Sequence, residues 1–380
     1  MKLLAIAAGS LTAAGIAYTA IALARVRKFR AAAQQYHPRA ATPITVLKPL
    51  YGDEPQLFEN LYSFCDQDYP EYQIIFGAAN PDDPALHVAR AVAQRFPGRD
   101  IEIVAGTAKP APNPKVGNLL GMIGRARHSI IAVADSDIRV GSTYLRAIAQ
   151  SFTDVQVGAA TCIYGGIPDR SLASRLGAMY VNDQFAPSVM VATAMEPLTY
   201  CFGATMAVRR DVLEHVGGFE SLAAHLGDDY VLGKRVTDAG YRVALLPYAV
   251  QTTVSETSLT SLWRHELRWA RTILGQRTAG YVGSIVTYAL PFAALFAATA
   301  RNAPAIIVLV LAAALRLAVH YEARRTFAPQ TSATPWLIPL RDVFGIGVWL
   351  GSFLGRTVLW KTDAYRLNAG GRMASGPSEM

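Results

Sequence analysis

The chain has 380 residues, of which 52% are apolar and only 17% charged, with a formal net charge of +8. That length exceeds one ordinary domain, and the apolar share exceeds that of a typical soluble protein, so a membrane component is expected. The positive balance comes without a helix-turn-helix, zinc-finger or aromatic-plus-basic pattern, which argues against nucleic acid and for anionic lipid as the counter-charge.

Leu3–Ala24 carries no charge. At about 1.5 Å rise per residue it is long enough to cross a bilayer as a helix. Ala22-Leu23-Ala24 resembles a small-residue cleavage site, but the apolar core is longer than the ~7–15 residues of a signal peptide, so residues 1–30 read as a retained anchor. Arg25, Arg27, Lys28 and Arg30 follow it, against a single Lys2 before it. The positive-inside tendency then puts the next domain, 31–257, in the cytoplasm. Three widely spaced cysteines, Cys65, Cys162 and Cys201, form neither a disulfide framework nor a zinc signature and agree with a reducing compartment.

After a polar, proline-bearing linker at Gln34–Pro43, strand-like and helix-like stretches alternate. Ile44–Leu47, Gln73–Ala79, Ile101–Val104 and Ile130–Ala134 read as strands; Pro55–Phe64, Pro84–Phe96 and Val116–Arg127 read as helices. Such alternation predicts an α/β fold with a mostly parallel sheet, and ligands bind such sheets at strand carboxyl ends. Neither GxGxxG nor GxxxxGK[ST] occurs, so dinucleotide and P-loop readings lose support. Further on, strands are expected near Val157–Tyr164, Cys201–Val208 and Tyr241–Leu246. Helices are expected near Ser171–Phe185, Asp211–Val216 and Asp228–Ala239.

Beyond Ser258, Arg264, Arg268 and Arg271 fall at helical spacing opposite Leu262, Trp269 and Ile273, which predicts a basic amphipathic helix on a membrane surface within 258–280. In the apolar region 281–360, Tyr281–Ala300 and Ala303–Val319 read as a transmembrane hairpin, with Arg316 snorkelling near one end. Val343–Trp360 is a third candidate, flanked or entered by Arg341, Asp342 and Arg356. The tail is 361–380.

Acidic residues punctuate the globular part where elements end: Asp82-Asp83, Asp135-Ser136-Asp137 and Asp228-Asp229. Helix capping alone would account for Asp228-Asp229. Together they match what transfer of a sugar from a nucleotide-sugar requires. A diphosphate leaving group needs a hard divalent cation held by one or two carboxylates, and a poor nucleophile needs a carboxylate base. Asp135 and Asp137 suit the metal (Mg2+ or Mn2+), Asp229 suits the base, and Arg268 suits the phosphates.

LKPL at Leu47–Leu50, SFCDQDYP at Ser63–Pro70, DDPA at Asp82–Ala85 and NPKVGNL at Asn113–Leu119 occur in order. They are followed by DSDIRV at Asp135–Val140, GGFE at Gly217–Glu220, GDDY at Gly227–Tyr230 and HELRW at His265–Trp269. This series resembles the ceramide glucosyltransferase-like (family 2/21) glycosyltransferases. Within them the chain is most similar to the bacterial hopanoid enzymes that form N-acetylglucosaminyl bacteriohopanetetrol, YGDEP at Tyr51–Pro55 contributing. The resemblance implies a GT-A-type nucleotide-sugar-binding domain with terminal membrane helices, in a bacterial inner membrane. It implies a UDP-sugar donor and inverting transfer to a membrane lipid, a hopanoid or a sphingolipid. It assigns Asp83 to the uridine, Lys115 to the donor, Asp135 and Asp137 to the metal-diphosphate, Asp229 to the catalytic base, and Arg268 and Trp269 to the border of donor and acceptor. Eukaryotic ceramide enzymes have Gly where Asp137 stands, and the last motif usually begins with Gln or Arg where this chain has His265. A ceramide glucosyltransferase using UDP-glucose is the alternative. A polysaccharide synthase and exporter is another, and would need more spanning helices than the four expected here.

Overall fold

The computed structural model describes residues 2–355, 357–360, 363–366 and 372–373. Helix α1 (Lys2–Gln35) leads to β1 (Ile44–Leu50), α2 (Leu57–Cys65), β2 (Tyr72–Ala78), α3 (Ala85–Arg95), β3 (Asp100–Ala105) and α4 (Pro114–Met122). Then come β4 (Ile130–Val133), β5 (Ile138–Arg139), α5 (Tyr144–Ser151), β6 (Val157–Pro168) and α6 (Leu172–Tyr180). A π-helical turn, Val181–Phe185, carries α6 into α7 (Ala186–Met195), where the sequence reading ended the helix at Phe185. Strand β7 (Met206–Arg209) is shorter than the expected Cys201–Val208, because Phe202 and Thr205 pair with each other in a tight turn. Next are α8 (Arg210–His215), α9 (Asp228–Asp238), and β8 (Arg242–Val254), which runs well past Leu246.

These strands form one 8-stranded sheet in the order β3-β2-β1-β4-β7-β6-β8-β5. The first four run parallel, β7 is antiparallel to both β4 and β6, β6 and β8 are parallel, and β5 is antiparallel to β8. Side chains alternate between the two faces. Val46, Ile74 and Ala132 pack under α2, α3 and α5, while Leu47, Ile75, Ile131 and Val133 pack under α4, α8 and α9. At about 1.5–3 kcal/mol for each fully buried aliphatic side chain, this double cover explains why β1 and β4 are apolar on both faces. The change of direction at β4/β7 opens a crevice at the carboxyl end of β4, where Asp135 and Asp137 lie.

The apolar C-terminal part departs from the sequence reading. Helix α10 (Leu259–Gln276) is followed by α11 (Thr278–Gly283), a 3-10 turn, α12 (Ala289–Ala300), α13 (Ala303–Phe327), α14 (Ile338–Ser352) and the strands β9 (Thr357–Trp360) and β10 (Asp363–Arg366). Tyr281–Ala300 is therefore not one straight helix: residues Thr278–Thr287 and Ala289–Ala300 meet at 57°. Pro291, which lacks an N–H and clashes with the carbonyl four residues back, accounts for the break. Val343–Trp360 is not one helix either, since α14 ends at Ser352 and Thr357–Trp360 pairs with Asp363–Arg366. Among the described residues two helices, α1 and α13, are long and apolar enough to cross a membrane, or three spans if the bent pair counts as one. In α1 the buried residues Ala8, Thr12, Gly15, Thr19, Ala22 and Val26 recur every three or four positions, a small-residue stripe against α12 and α13. Leu3, Ile6, Ile306, Ile307 and Val310 face outward.

Arg316 does not snorkel. It is buried in α13 and donates to Asp342 of α14 (3.0 Å) and Asp183 of the π turn (3.1 Å). Nor do the arginines of α10 form one free basic face. Arg264 is exposed, Arg268 is half-buried and turned to the crevice, and Arg271 donates to the carbonyls of Leu354 and Thr357.

Candidate active site

Strand register assembles the crevice. Because Val133 pairs with Met206 on antiparallel β7, Asp135 comes alongside the turn that ends in Gly203 and Ala204. A Cβ on Gly203 would lie 2.9 Å from Asp135 Oδ2, 3.6 Å from Asp229 Oδ2 and 3.6 Å from Lys115 Nζ. Three of the residues predicted from sequence thus converge over a glycine that the sequence reading passed over.

Asp229 lies in the first turn of α9. Its Oδ2 accepts from Gly203 N at 2.8 Å and its Oδ1 from Tyr230 N at 2.8 Å. Burial, followed by the charge of Asp228, pushes this carboxyl up to about 6. Lys115 is placed by the cap of α4, where the Asn113 side chain accepts from Lys115 N and Val116 N. Its ammonium meets Asp135 Oδ1 at 2.7 Å and Asp228 Oδ2 at 3.2 Å. Burial opposes that charge, yet Asp135 and Asp228 more than reverse the effect and hold Lys115 protonated above its usual range. Asp228, which capping alone seemed to explain, is the second anchor of this lysine.

Asp137 turns the other way and accepts from Thr252 Oγ1 at 2.6 Å. Burial, then the neighbouring Asp135, raises its pKa. Lys48, a further residue missed in the sequence, is wholly buried at the end of β1. Its Nζ donates to the carbonyls of Asp135 and, at 3.4 Å, Ile138, and sits 3.9 Å over the Phe64 ring. Burial pushes Lys48 down to about 7, with Asp137 and Asp135 pulling it back. The clue was a lysine at the end of an apolar strand that runs parallel to the acidic one.

Asp83 stands apart from this cluster. Both its oxygens accept from Gly52 N (2.9 and 3.1 Å), and one also from Ala85 N (2.9 Å), so it pins the loop after β1 to the start of α3. On α10, Arg268 lies within electrostatic reach of Asp135, Tyr164, Glu256 and Asp229. Trp269 stacks on Tyr180 with ring centroids 5.9 Å apart, and the His265 ring lies 4.2 Å from Trp269. His265 Nδ1 pairs with the Glu256 carboxylate, which is held below its ordinary range by that contact against the effect of burial.

Among the described residues no three His, Cys, Asp or Glu side chains converge as a closed metal cage. Asp135 and Asp137 stand two residues apart on one turn and are hard oxygen donors of the kind that would hold a divalent ion, once Asp135 shares its contact with Lys115 and Asp137 turns from Thr252.

A mostly parallel sheet that changes direction beside an acidic strand end, with carboxylates, a lysine and an arginine around one crevice, is a GT-A-like architecture. The family model of glycosyl transferase family 21 matches residues 7–373. The chain belongs to that family and is a glycosyltransferase. It is similar to ceramide glucosyltransferase 3 of Caenorhabditis elegans, 20% identical over 87% of this chain and 74% of that one. It is 31% identical to the ceramide glucosyltransferase of Komagataella phaffii over 37% of this chain and 29% of that one. An N-acetylglucosaminyltransferase of Rhizobium meliloti is 25% identical over 63% of this chain and 58% of that one. A solved mannosyltransferase from Pyrobaculum calidifontis, in complex with GDP-Man and Mn2+, shares the fold, with a TM-score of 0.54 and 21% identity over 92% of this chain and 99% of that one.

Proposed function

We propose that this glycosyltransferase moves N-acetylglucosamine from UDP-N-acetylglucosamine to a hydroxyl of a hopanoid polyol, bacteriohopanetetrol, at the cytoplasmic face of a bacterial inner membrane. The observation that carries transfer to a lipid is the convergence of Asp135, Asp229 and Lys115 over Gly203, in a fold that also packs two membrane-length apolar helices. The hopanoid acceptor rests on the motif series, and the donor is supported by the similarity to an N-acetylglucosaminyltransferase. Ceramide with UDP-glucose is the second reading, favoured by the ceramide glucosyltransferase relatives. The division proposed is an anchor in 1–30, a catalytic domain in 31–257, the motif-bearing helix in 258–280 and a membrane region in 281–360.

In this reading Asp229, ionised above about pH 6, takes the proton of the acceptor hydroxyl. The acceptor oxygen forms its bond to the anomeric carbon as the bond to the UDP oxygen breaks, with inversion. Lys115 and Arg268 face the diphosphate as charge accumulates on it. Asp135 and Asp137 would hold a divalent ion, which when bound would supply further neutralisation of that leaving group. Asp83 contacts the uridine, Trp269 and Tyr180 border the acceptor, and His265 is oriented by Glu256. Purified protein in phosphatidylcholine vesicles, given each UDP-sugar with each lipid, with and without EDTA, tests this. Transfer only to ceramide, or transfer undiminished by EDTA, contradicts it.

A further inference from the structure

The dipeptide Arg341-Asp342 interrupts an apolar stretch, and both side chains are fully buried at the start of α14. Burying two opposite charges is expensive unless each meets a partner. Arg341 makes a bidentate contact with Glu266, at 2.5 and 2.7 Å, on the α10 segment that carries His265, Arg268 and Trp269. The same guanidinium donates to the Leu176 carbonyl of α6 at 3.3 Å and lies 5.4 Å from the Tyr180 ring centroid. Asp342 accepts from Arg316, which reaches Asp183 just beyond Tyr180. One residue thus ties α10 to α6 where Trp269 stacks on Tyr180, and its neighbour fixes the turn that follows.

We propose that Arg341 and Glu266 are positioning residues for the Tyr180–Trp269 stack, through which the C-terminal membrane region sets the acceptor side of the crevice. The functional consequence rests on the reading of Trp269 given above. The bidentate contact lies beside the stack, while Arg268 on the same helix faces the donor side, so UDP affinity is the readout that separates an effect on the stack from one on the donor.

The test uses the double variant E266M/R341M in the full chain, because replacing a buried pair by apolar side chains leaves no orphan charge and spares the fold. Incorporated 5-fluorotryptophan reports on Trp269, its 19F resonance assigned by W269F, and UDP affinity is measured by calorimetry. In the double variant the Trp269 resonance is expected to shift and broaden while UDP affinity stays within about twofold. Transfer from UDP-N-acetylglucosamine to bacteriohopanetetrol should fall about tenfold to a hundredfold in kcat, as for a misplaced reacting group. In a W269A background the same pair of substitutions should add less than about twofold, since both act on one element. An unmoved Trp269 resonance, a parallel loss of UDP affinity, or a loss that multiplies in full with W269A overturns the proposal. If the unaltered chain makes no glycosylated bacteriohopanetetrol, the functional reading fails, and the resonance and affinity arms still decide the clamp.

Discussion

Asp229→Asn removes the proposed base while changing the site's shape very little. The parent carboxylate accepts from Gly203 N and Tyr230 N. The Asn oxygen keeps one of these bonds, and the other N–H then faces an amide NH2, at about 1–3 kcal/mol. Against this, the folded pKa of about 6 stands above the ordinary aspartate value of 3.8. A carboxyl raised in this way contributes stability that is fully present below the unfolded pKa and lost as pH rises through 6, so at neutral pH the ionised group is a liability of roughly 3 kcal/mol. The two effects nearly offset, and the variant should keep its Tm within a few degrees. Activity should not follow. Loss of a general base costs about 10²–10⁴ in rate, or about 3–5 kcal/mol of transition-state stabilisation. The assay is single-turnover sugar transfer in vesicles across pH 5–8, beside thermal unfolding of the same samples. The parent's kcat/KM should rise through about pH 6 and level off above it, and the variant should lose that step. Full transferase activity in Asp229→Asn, or a parent profile flat through pH 6, would refute the assignment.

Gly203→Ala places a methyl 2.9 Å from Asp135 Oδ2; since the carboxylate can swing away, the fold should survive while transfer falls about a hundredfold, read by kcat beside Tm. Asp137→Asn keeps the bond from Thr252 but removes one anion, so the Mn2+ concentration for half-maximal activity should rise about tenfold, and an unchanged requirement would exclude Asp137 as a ligand. Lys48→Met frees the carbonyls of Asp135 and Ile138 and should weaken transfer. Lys48 is depressed to about 7 in the fold, so its desolvation penalty is full below pH 7 and fades as pH rises toward the unfolded pKa. Urea unfolding should therefore show the parent gaining on the methionine variant between pH 7 and 10.

The sheet was legible because its signal is local. Apolar runs the length of a strand, alternating with amphipathic stretches, report burial on two faces, and they located β1 to β4 to within a few residues. The carboxylates were legible for a related reason, since anions at the ends of buried strands need a cation nearby. Gly203, Lys48 and Asp228 were not, because their roles depend on which strands become neighbours: β7 carries Gly203 to Asp135, and β1 carries Lys48 beneath the same turn. Arg316 was misread for the same reason. An arginine in an apolar helix looks like a residue reaching for the membrane surface until Asp183, distant in sequence, and Asp342 are seen to meet it. The break before α12 did have a local signal in Pro291, which the run of apolar residues masked. His265 kept an unusual identity in its motif, and its partner Glu256 lies just ahead of the helix, too close in sequence to be suspected as more than a turn residue.

The most direct measurement is mass spectrometry of the lipid formed when the purified chain, in vesicles holding both bacteriohopanetetrol and ceramide, receives UDP-N-acetylglucosamine and UDP-glucose together with Mn2+. N-acetylglucosaminyl bacteriohopanetetrol is the expected product, abolished by EDTA and by Asp229→Asn. Glucosylceramide alone, or a product that forms equally in EDTA, would contradict it.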